Sequence, residues 1–153
     1  MAVLSISTTR SLENDDSGHW IAQGAEGQGH NVVFHDVIPD DADAIRRAVT
    51  QVLADRAPHA VIVTGGTGLS PLDVTIEAIK PLFAKELSAF AVLFAQLSHE
   101  EIGSAAILSR ATAGIIGRSI VFCIPGSLKA CQLACKKLIF PELGHIIRHC
   151  RGN

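Results

Sequence analysis

A glycine-rich segment, Thr64–Asp73 (TGGTGLSPLD), follows a short apolar run and has the residue types that bind anions. Its three glycines let backbone N–H groups approach a phosphate closely, and the start of a following helix adds a favourable dipole. The segment is neither a Walker A motif nor G-x-G-x-x-G, and a tight strand-to-helix turn is the alternative interpretation. We predict that phosphate binds here, through Thr64, Gly65, Gly66, Thr67, Gly68 and Ser70.

Two aspartates, Asp40 and Asp73, stand where the chain leaves an apolar run and enters a helix. Each carboxylate fits two roles, because an aspartate at a helix start either caps backbone N–H groups or holds Mg²⁺ against phosphates. Of the adjacent Asp40 and Asp41, one is expected to be the cap. Two carboxylates that share one Mg²⁺ suit phosphoryl or nucleotidyl transfer, in which metal and positioning supply most of the catalysis.

Further polar residues follow apolar segments later in the chain. Pro125-Gly126-Ser127 repeats the strand–turn–helix pattern with Lys129 close by, and this favours a second anion contact. Arg110, directly after Ser109, has a guanidinium that can fork onto a phosphate or carboxylate, although a surface arginine fits the sequence equally well. His19 is either a ligand contact or part of a capped helix start, and the second interpretation is favoured.

Apolar spacing predicts four strands: Ala2–Ser7, Asn31–Val37, Ala60–Thr64 and Ser119–Ile124. Helical spacing alternates with them: Gly18–Gln28, Asp41 through Leu53, Asp73–Leu87, Phe90–Leu97 continued by Ser104–Leu108, Leu128–Leu138, and a last helix from Pro141 to Cys150. This order predicts an α/β fold with a single doubly wound, mostly parallel sheet, and residues 1–153 as one domain. Ligands bind beyond the carboxyl ends of such strands, where Thr8–Ser17, Ile38–Asp41, Gly65–Leu72 and Pro125–Ser127 are expected.

The net charge and the lengths of the apolar runs argue against a nucleic-acid-binding protein and against a membrane protein. A net charge of −2 over 153 residues disfavours a general nucleic-acid binder. No apolar run approaches the ~18–20 residues of a membrane span, and the N-terminal segment has no basic region of a signal peptide, so we expect a cytoplasmic protein with free thiols. A zinc site is one interpretation of Cys131, Cys135, His145 and His149. The stretch between the cysteine pair and the histidine pair is shorter than in the usual zinc finger. We therefore favour the alternative, in which the cysteines pack as small apolar groups.

The segments that carry these candidates resemble the MoaB/MogA family of molybdenum cofactor biosynthesis proteins. The matches lie in the family's order along nearly the whole chain: Ser11–His19 (SLENDDSGH), Val37–Asp41 (VIPDD), Thr64–Ala78 (TGGTGLSPLDVTIEA), Leu108–Ala113 (LSRATA) and Pro125–Ala130 (PGSLKA). Together they are far more specific than the glycine-rich segment alone. The last of them, with Glu100-Glu101-Ile102-Gly103, favours the MoaB branch.

The resemblance implies a parallel-sheet α/β domain that assembles as a trimer or hexamer. It also implies transfer of AMP from ATP to the terminal phosphate of molybdopterin, with Mg²⁺ and release of pyrophosphate. The aspartates that the family uses fall on Asp40 and Asp73, and its pterin and nucleotide loops fall on Thr64–Ser70, Ser109-Arg110 and Pro125–Ser127. Expected partners are molybdopterin, ATP, further copies of the chain and other molybdenum cofactor biosynthesis proteins, with no nucleic acid and no membrane.

Three positions depart from the family pattern. Thr8 stands where the family has the aspartate of Ser-Asp, Val92 stands where it has the glutamate of Gly-Phe-Gly-Glu, and Ile76 replaces a proline of the first helical turn. Because the first two changes remove carboxylates near the expected site, a molybdopterin-binding or carrier protein without catalysis is the second hypothesis. Scaffolding, a role of similar domains in larger proteins, is a third and weaker one.

Overall fold

The computed structural model describes residues 1–152, and six strands form one mixed sheet. The strands are β1 (Ala2–Ile6), β2 (Phe34–Ile38), β3 (Ala60–Thr64), β4 (Lys85–Glu86), β5 (Thr112–Ile116) and β6 (Ser119–Ile124). Their order is β2-β1-β3-β6-β5-β4. Strands β2, β1, β3 and β6 are parallel, whereas β5 pairs antiparallel with both β6 and β4. The predicted mostly parallel α/β sheet is therefore confirmed.

Helices cover both faces of the sheet. They are α1 (Asp16–Gly27), α2 (Ala42–Arg56), α3 (Thr75–Ile79), α4 (Ser88–Ile102), α5 (Leu128–Ala134) and α6 (Phe140–Arg151). Successive strand residues point to opposite faces, so Ile62 and Val63 of β3 enter two different apolar clusters. One cluster contains residues of α1, α4, α5 and α6, and the other contains residues of α2 and α3. This two-sided burial explains why β3 is apolar almost throughout.

Strand boundaries agree closely with the apolar runs in the parallel part of the sheet. β3 and β6 have the predicted bounds, β1 ends one residue earlier at Ile6, and β2 begins at Phe34 rather than Asn31.

Within residues 1–152, none of the helices combines the length and the apolar character that crossing a membrane requires.

The predicted helix Asp73–Leu87 is wrong over most of its length. Only Thr75–Ile79 is α-helical, a 3₁₀ turn covers Lys80–Leu82, and the chain then pairs as β4. Pro81 explains the interruption, because a proline has no N–H to donate to the carbonyl four residues earlier and its ring clashes with that carbonyl.

Strand β5 was not predicted. Its sequence, TAGII, contains Gly114, and a glycine inside a strand weakens the strand signal. The glycine is required here because the Phe83 ring packs where a Cβ of residue 114 would lie. A two-residue turn, Gly117-Arg118, then joins β5 to β6, and Gly117 has a φ of +60°.

The two C-terminal helices are continuous rather than separated at Pro141. After α5, a π-helical turn over Cys135–Ile139 leads directly into α6. Pro141 follows the π-helical turn directly, where the hydrogen-bonding pattern of the helix already changes, so the missing N–H is accommodated and the predicted break does not occur.

Candidate functional site

An open cleft of about 410 Å³ lies at the carboxyl ends of β1, β3 and β6. Parallel strands end at this edge of the sheet, and the segments that follow them form the cleft wall. The predicted site residues that line it are Asp40, Gly65, Gly66, Thr67, Gly68, Asp73, Pro125, Gly126 and Ser127. Thr64, Ser70, Ser109, Arg110 and Lys129 lie outside its lining, and their roles as ligand contacts stay predictions.

The glycine-rich segment depends on backbone conformations that other residues rarely adopt. Gly65 has a φ of +101° and Gly66 a φ of +62°. A Cβ on Gly65 would lie 2.4 Å from the carbonyl oxygen of Ile6, so a side chain here would push β1 and β3 apart. Two hydrogen bonds from Thr75 stabilise the turn. The Thr75 N–H donates to the Gly66 carbonyl at 2.9 Å, and the Thr75 hydroxyl donates to the Gly65 carbonyl at 2.8 Å.

Buried hydroxyls join the cleft segments to one another. The Thr64 hydroxyl donates to the Pro125 carbonyl at 2.9 Å, which fixes the glycine-rich segment against the Pro125-Gly126-Ser127 turn. Ser17, at the start of α1, donates to the Gly126 carbonyl at 2.9 Å. Ser127 caps α5 by accepting from the Ala130 N–H at 3.3 Å. Thr64 is almost fully buried, so its hydroxyl supports the cleft wall from behind.

Asp40 is held by Thr8 and does not cap a helix. One carboxylate oxygen, Oδ2, accepts from the Thr8 N–H at 2.7 Å and from the Thr8 hydroxyl at 2.8 Å. The Thr8 hydroxyl also accepts from the Asp40 N–H at 3.2 Å. Asp41 is the N-cap of α2, since it accepts from the Ala44 N–H at 2.7 Å. Of the two roles considered for Asp40, capping therefore belongs to its neighbour.

Asp73 also differs from a helix cap. The N-cap of α3 is Val74, and Asp73 instead accepts from the Ser70 N–H through Oδ2 at 2.9 Å, which closes the end of the glycine-rich segment. A Cβ on Gly68 would lie 2.7 Å from the same oxygen. Among residues 1–152, the hydrogen bonds of both Asp40 and Asp73 fall on Oδ2, and the Oδ1 atoms are left for a ligand.

Arg110 supports the glycine-rich segment from outside the cleft. Its guanidinium donates to the carbonyls of Thr67 and Gly68 at 2.8–3.1 Å and pairs with Glu77 at 2.7 Å. The hydrogen bonds from Arg110 lower the pKa of Glu77. Lys129 is exposed on α5, and Ser109 follows the 3₁₀ turn Gly103–Leu108.

Sequence reasoning placed the segment Thr8–Ser17 at the ligand-binding edge of the sheet, but it named none of Ser7, Thr9 and Arg10 as a contact. Ser7, Thr9 and Arg10 line the cleft, and the exposed Arg10 brings a positive charge to it. The available signal was their position directly after an apolar strand in a parallel sheet. Arginine is well suited to phosphate, because its planar donors can bind two oxygens at once.

A buried aspartate with two hydrogen bonds anchors the start of α1 beside the cleft. Asp15 is fully buried, caps α1 through the Gly18 N–H at 3.1 Å, and lies 2.8 Å from Nε2 of His35 on β2. Burial raises the pKa of Asp15, but the hydrogen bonds from His35 and Gly18 outweigh it, and the pKa lies below its usual value. His19 packs edge-on against His35, with ring centroids 5.0 Å apart, as part of this capped helix start.

The four-residue zinc pattern does not assemble. Cys131 and Cys135 are buried in the core, whereas His145 and His149 lie on the exposed side of α6. The Cys131 thiol contacts the Thr64 hydroxyl at 3.1 Å, and burial raises its pKa, as it does for Cys135. Within residues 1–152, no group of three or more His, Cys, Asp and Glu side chains is arranged to hold a metal ion.

Val92, the position of the second missing carboxylate, lies on α4 outside the lining of this cleft, with 67% of its surface exposed. Thr8, by contrast, contacts the cleft residue Asp40 directly. The two departures therefore affect different parts of the molecule.

The fold and the cleft define an α/β domain with a candidate anion-binding site built from strand-end segments. Residues 2–145 match the family described as "Probable molybdopterin binding domain". The chain is 47% identical over 152 residues to molybdenum cofactor biosynthesis protein B of Bacillus subtilis, covering 99% of this chain and 89% of that relative.

Solved structures agree with this assignment. A crystal structure of a molybdenum cofactor biosynthesis protein B has a TM-score of 0.96 and 42% identity over 99% of this chain and 95% of that one. The tungsten cofactor synthesizing protein MoaB of Pyrococcus furiosus has a TM-score of 0.89 and 37% identity over 98% and 95%. The chain belongs to the molybdopterin-binding-domain family of molybdenum cofactor biosynthesis proteins, and its relatives are of the MoaB type.

Proposed function

We propose that this chain binds molybdopterin in the cleft and adenylylates its terminal phosphate with ATP, releasing pyrophosphate. The observation that carries the proposal is that two carboxylates, Asp40 and Asp73, line one cleft together with the glycine-rich segment. Family membership supports molybdopterin as the ligand. The carboxylates support the second substrate, because nucleotidyl transfer needs charge neutralisation beside the phosphates.

The residues present fit a Mg²⁺ ion that arrives with ATP. Asp40 and Asp73 each keep Oδ1 outside the hydrogen bonds that fix the carboxylate, and oxygen is the ligand that Mg²⁺ prefers. Mg²⁺ sites commonly use one or two carboxylates, with waters and substrate phosphates as the remaining ligands. When bound, the ion would neutralise charge on the phosphates of ATP. Two carboxylates are therefore sufficient protein ligands for this purpose.

In the proposed reaction, an oxygen of the molybdopterin phosphate attacks the α-phosphorus of ATP. A new P–O bond forms, the bond from the α-phosphorus to the bridging oxygen breaks, and pyrophosphate leaves with the electron pair. Backbone N–H groups of Gly66–Gly68 would hold phosphate oxygens, whereas the Gly65 N–H already donates to the Ile124 carbonyl, and the positive charge of Arg10 would balance the negative charge of the phosphates. Thr8 would keep Asp40 in one orientation throughout.

The test is pyrophosphate release from ATP and Mg²⁺, with and without freshly prepared molybdopterin, for the wild type and Asp73→Asn. Asparagine can still accept from the Ser70 N–H, so the fold should survive. We expect molybdopterin-dependent release that falls about 10²–10³-fold in the variant, the size of losing one electrostatic contact. Asp55→Asn, on the exposed side of α2, is the matched control. An unchanged rate in Asp73→Asn would remove the role assigned to this residue.

A carrier function is the second candidate, and the missing carboxylate at Thr8 favours it. Because Thr8 replaces an aspartate of the family pattern, the region around Asp40 has one negative charge fewer, and Mg²⁺ should bind there less tightly. Measurable molybdopterin binding together with no pyrophosphate release, for wild-type protein saturated with ATP and Mg²⁺, would establish this alternative. Restoring release with Thr8→Asp would then identify residue 8 as the cause.

We further propose that the chain forms a homo-oligomer, a trimer or a hexamer. Exposed apolar side chains concentrate on α4 and the 3₁₀ turn after it: Val92, Leu93, Ile102, Ile107 and Leu108. Ile107 is 85% exposed, and a group of exposed apolar side chains on one helix and the turn after it is the kind of surface that an interface between subunits would bury. Light scattering should give a mass of three or six chains, and a mass of one chain would contradict the proposal.

A further inference from the structure

Helix α6 carries two histidines one turn apart whose side chains converge. His145 and His149 lie on one face because residues four apart on a helix are neighbours. Their Nε2 atoms are 2.9 Å apart, and the ring centroids are 4.6 Å apart. Both residues are exposed, so neither ring is held in place by the core. In the free protein, one imidazole can donate its Nε2 proton to the other.

This separation is also the bite that a chelating pair of imidazoles needs. Metal–nitrogen bonds to histidine are about 2.0–2.1 Å, so two ligand nitrogens at this distance subtend roughly 90° at the ion. A metal ion bonded to both Nε2 atoms would lie to one side of the line that joins them, because bonds of about 2.0–2.1 Å are longer than half of the separation between the two nitrogens. The two rings would have to turn so that both lone pairs point at the ion, and their exposed positions allow this.

A neighbouring carboxylate prepares one of the two ligands. Oε2 of Glu142 lies 3.2 Å from Nδ1 of His145, one turn earlier on the same helix. A carboxylate that accepts from Nδ1–H selects the tautomer in which Nε2 carries the lone pair, and metal-binding histidines commonly have such a partner. The arrangement is therefore a carboxylate–histidine pair with its ligating nitrogen facing His149.

The surroundings place this pair away from the cleft. His145 and His149 line a groove of about 600 Å³ between α6 and the antiparallel edge of the sheet, together with Leu87, Ile115 and Gly117. Gly117 belongs to the β5–β6 turn, which lies at the opposite end of β6 from Pro125. Most residues that line the groove are apolar, and the positive charge of Lys85 in the same groove opposes a cation.

We propose that His145 and His149 chelate a divalent late transition-metal ion of the class of Zn²⁺ and Ni²⁺, at a site separate from the cleft. Imidazole nitrogen suits these ions, whereas Mg²⁺ prefers oxygen ligands. With two protein nitrogens, the remaining coordination positions are filled by water or by an exogenous ligand. The site is consequently an exchangeable one, and the inference does not depend on adenylyl transfer.

The test is a competition titration of the untagged, metal-stripped chain with Ni²⁺ and a chromophoric chelator. We expect one chelated ion per chain. His145→Ala and His149→Ala should each weaken binding at least tenfold, because either change converts a chelate into a single-ligand contact. His99→Ala, an exposed histidine on α4, is the matched control and should change nothing. Glu142→Gln should weaken binding several-fold through its effect on His145.

Two further outcomes keep the test decisive. All three histidines are exposed, so the variants should keep the thermal unfolding midpoint of the metal-free protein. With Zn²⁺, the side-chain ¹⁵N resonances of Nε2 in His145 and His149 should shift together, and those of His99 should not. Equal affinities for wild type and both alanine variants, or zinc-induced shifts at Nδ1 instead of Nε2, would overturn the proposal.

Discussion

The two ends of the sheet organise polar groups by different means. At the carboxyl end, three strand-end segments bring backbone groups, hydroxyls and two carboxylates into one cleft, and contacts between distant residues hold them there. At the antiparallel edge, a single helix presents two imidazoles over an apolar groove. The first arrangement supplies oxygen and N–H groups that suit phosphate and Mg²⁺, and the second supplies nitrogen that suits softer ions. Changes at one end should therefore leave the other unaffected.

The largest effect on the cleft end of the sheet is expected from a substitution at Gly65. Gly65→Ala forces a side chain onto a residue with a φ of +101° and places Cβ 2.4 Å from the Ile6 carbonyl oxygen. We expect a loss of ~3 kcal/mol in the free energy of unfolding, from backbone strain and from the overlap between β1 and β3. Urea denaturation measures the loss, and molybdopterin binding should disappear with it.

Gly117→Ala is the matched control for that change. Gly117 also has a positive φ, +60°, but a Cβ on this residue would meet nothing within 4 Å. The variant should lose only ~1 kcal/mol, the cost of the backbone conformation without a collision. If the two variants were equally destabilised, close packing of the glycine-rich segment against β1 would not be what distinguishes the cleft end.

A smaller effect is expected from the buried contact beside the cleft. In Asp15→Asn the amide oxygen still accepts from the Gly18 N–H, but the charged acceptor for His35 is lost, and the His35 ring must change tautomer to accept from the amide N–H. We expect a loss of ~1–3 kcal/mol in unfolding free energy near neutral pH. Asp16→Asn removes the same charge from an exposed neighbour, so it should cost less and serves as the control.

The pH dependence of this difference follows from the lowered pKa of Asp15. A carboxylate whose folded pKa is depressed stabilises the protein fully above its unfolded pKa of about 3.9, and that stability is lost as pH falls through the folded value. The difference in unfolding free energy between wild type and Asp15→Asn should therefore be present at pH ~5 and shrink as the pH drops below ~3.9. A gap that widened on acidification would show that the ionised form of Asp15 is not the stabilising one.

These contacts also show what the sequence could and could not predict. Apolar runs followed by glycine or aspartate identified the parallel strands and the cleft segments, because a strand buried on both faces leaves a clear pattern. The antiparallel edge leaves a weaker one: β4 has two residues, and β5 contains Gly114. The parallel strands and the segments that follow them at the cleft were therefore predictable, while the antiparallel edge was visible only in the structure.

The sequence also did not predict which groups form hydrogen bonds with the aspartates of the cleft. Aspartates at helix starts were correctly considered as caps, but Asp41 takes that role beside Asp40. Asp40 is instead fixed by Thr8, 32 residues away in the sequence. A single sequence gives no signal for a pair so far apart, particularly when threonine replaces the acidic residue that the family pattern leads one to expect.

Thr8 therefore offers a test of how the cleft end organises its carboxylates. Thr8→Val removes the hydroxyl that donates to Asp40 Oδ2 but keeps the backbone contact and the side-chain shape. If the protein adenylylates molybdopterin, we expect pyrophosphate release to fall roughly tenfold, the size of one hydrogen bond to a charged group. Thr8→Ser keeps the hydroxyl and should retain most of the rate, so equal losses in both variants would argue against a positioning role.

The smallest expected effect on the unfolding free energy comes from the ion pair between Glu77 and Arg110, which lies outside the cleft. Glu77→Gln removes a partly exposed ion pair but leaves Arg110 bonded to the Thr67 and Gly68 carbonyls. Exposed pairs contribute about 0–1 kcal/mol, so the unfolding free energy should change little. Since Arg110 lowers the pKa of Glu77, any difference should be present above the ordinary carboxyl pKa and vanish as the pH falls below it. Arg110→Ala, measured beside it, should cost clearly more, because the two carbonyls then lose their donors. Equal costs would mean that the ion pair, rather than the contacts with the loop backbone, is what Arg110 contributes to the cleft.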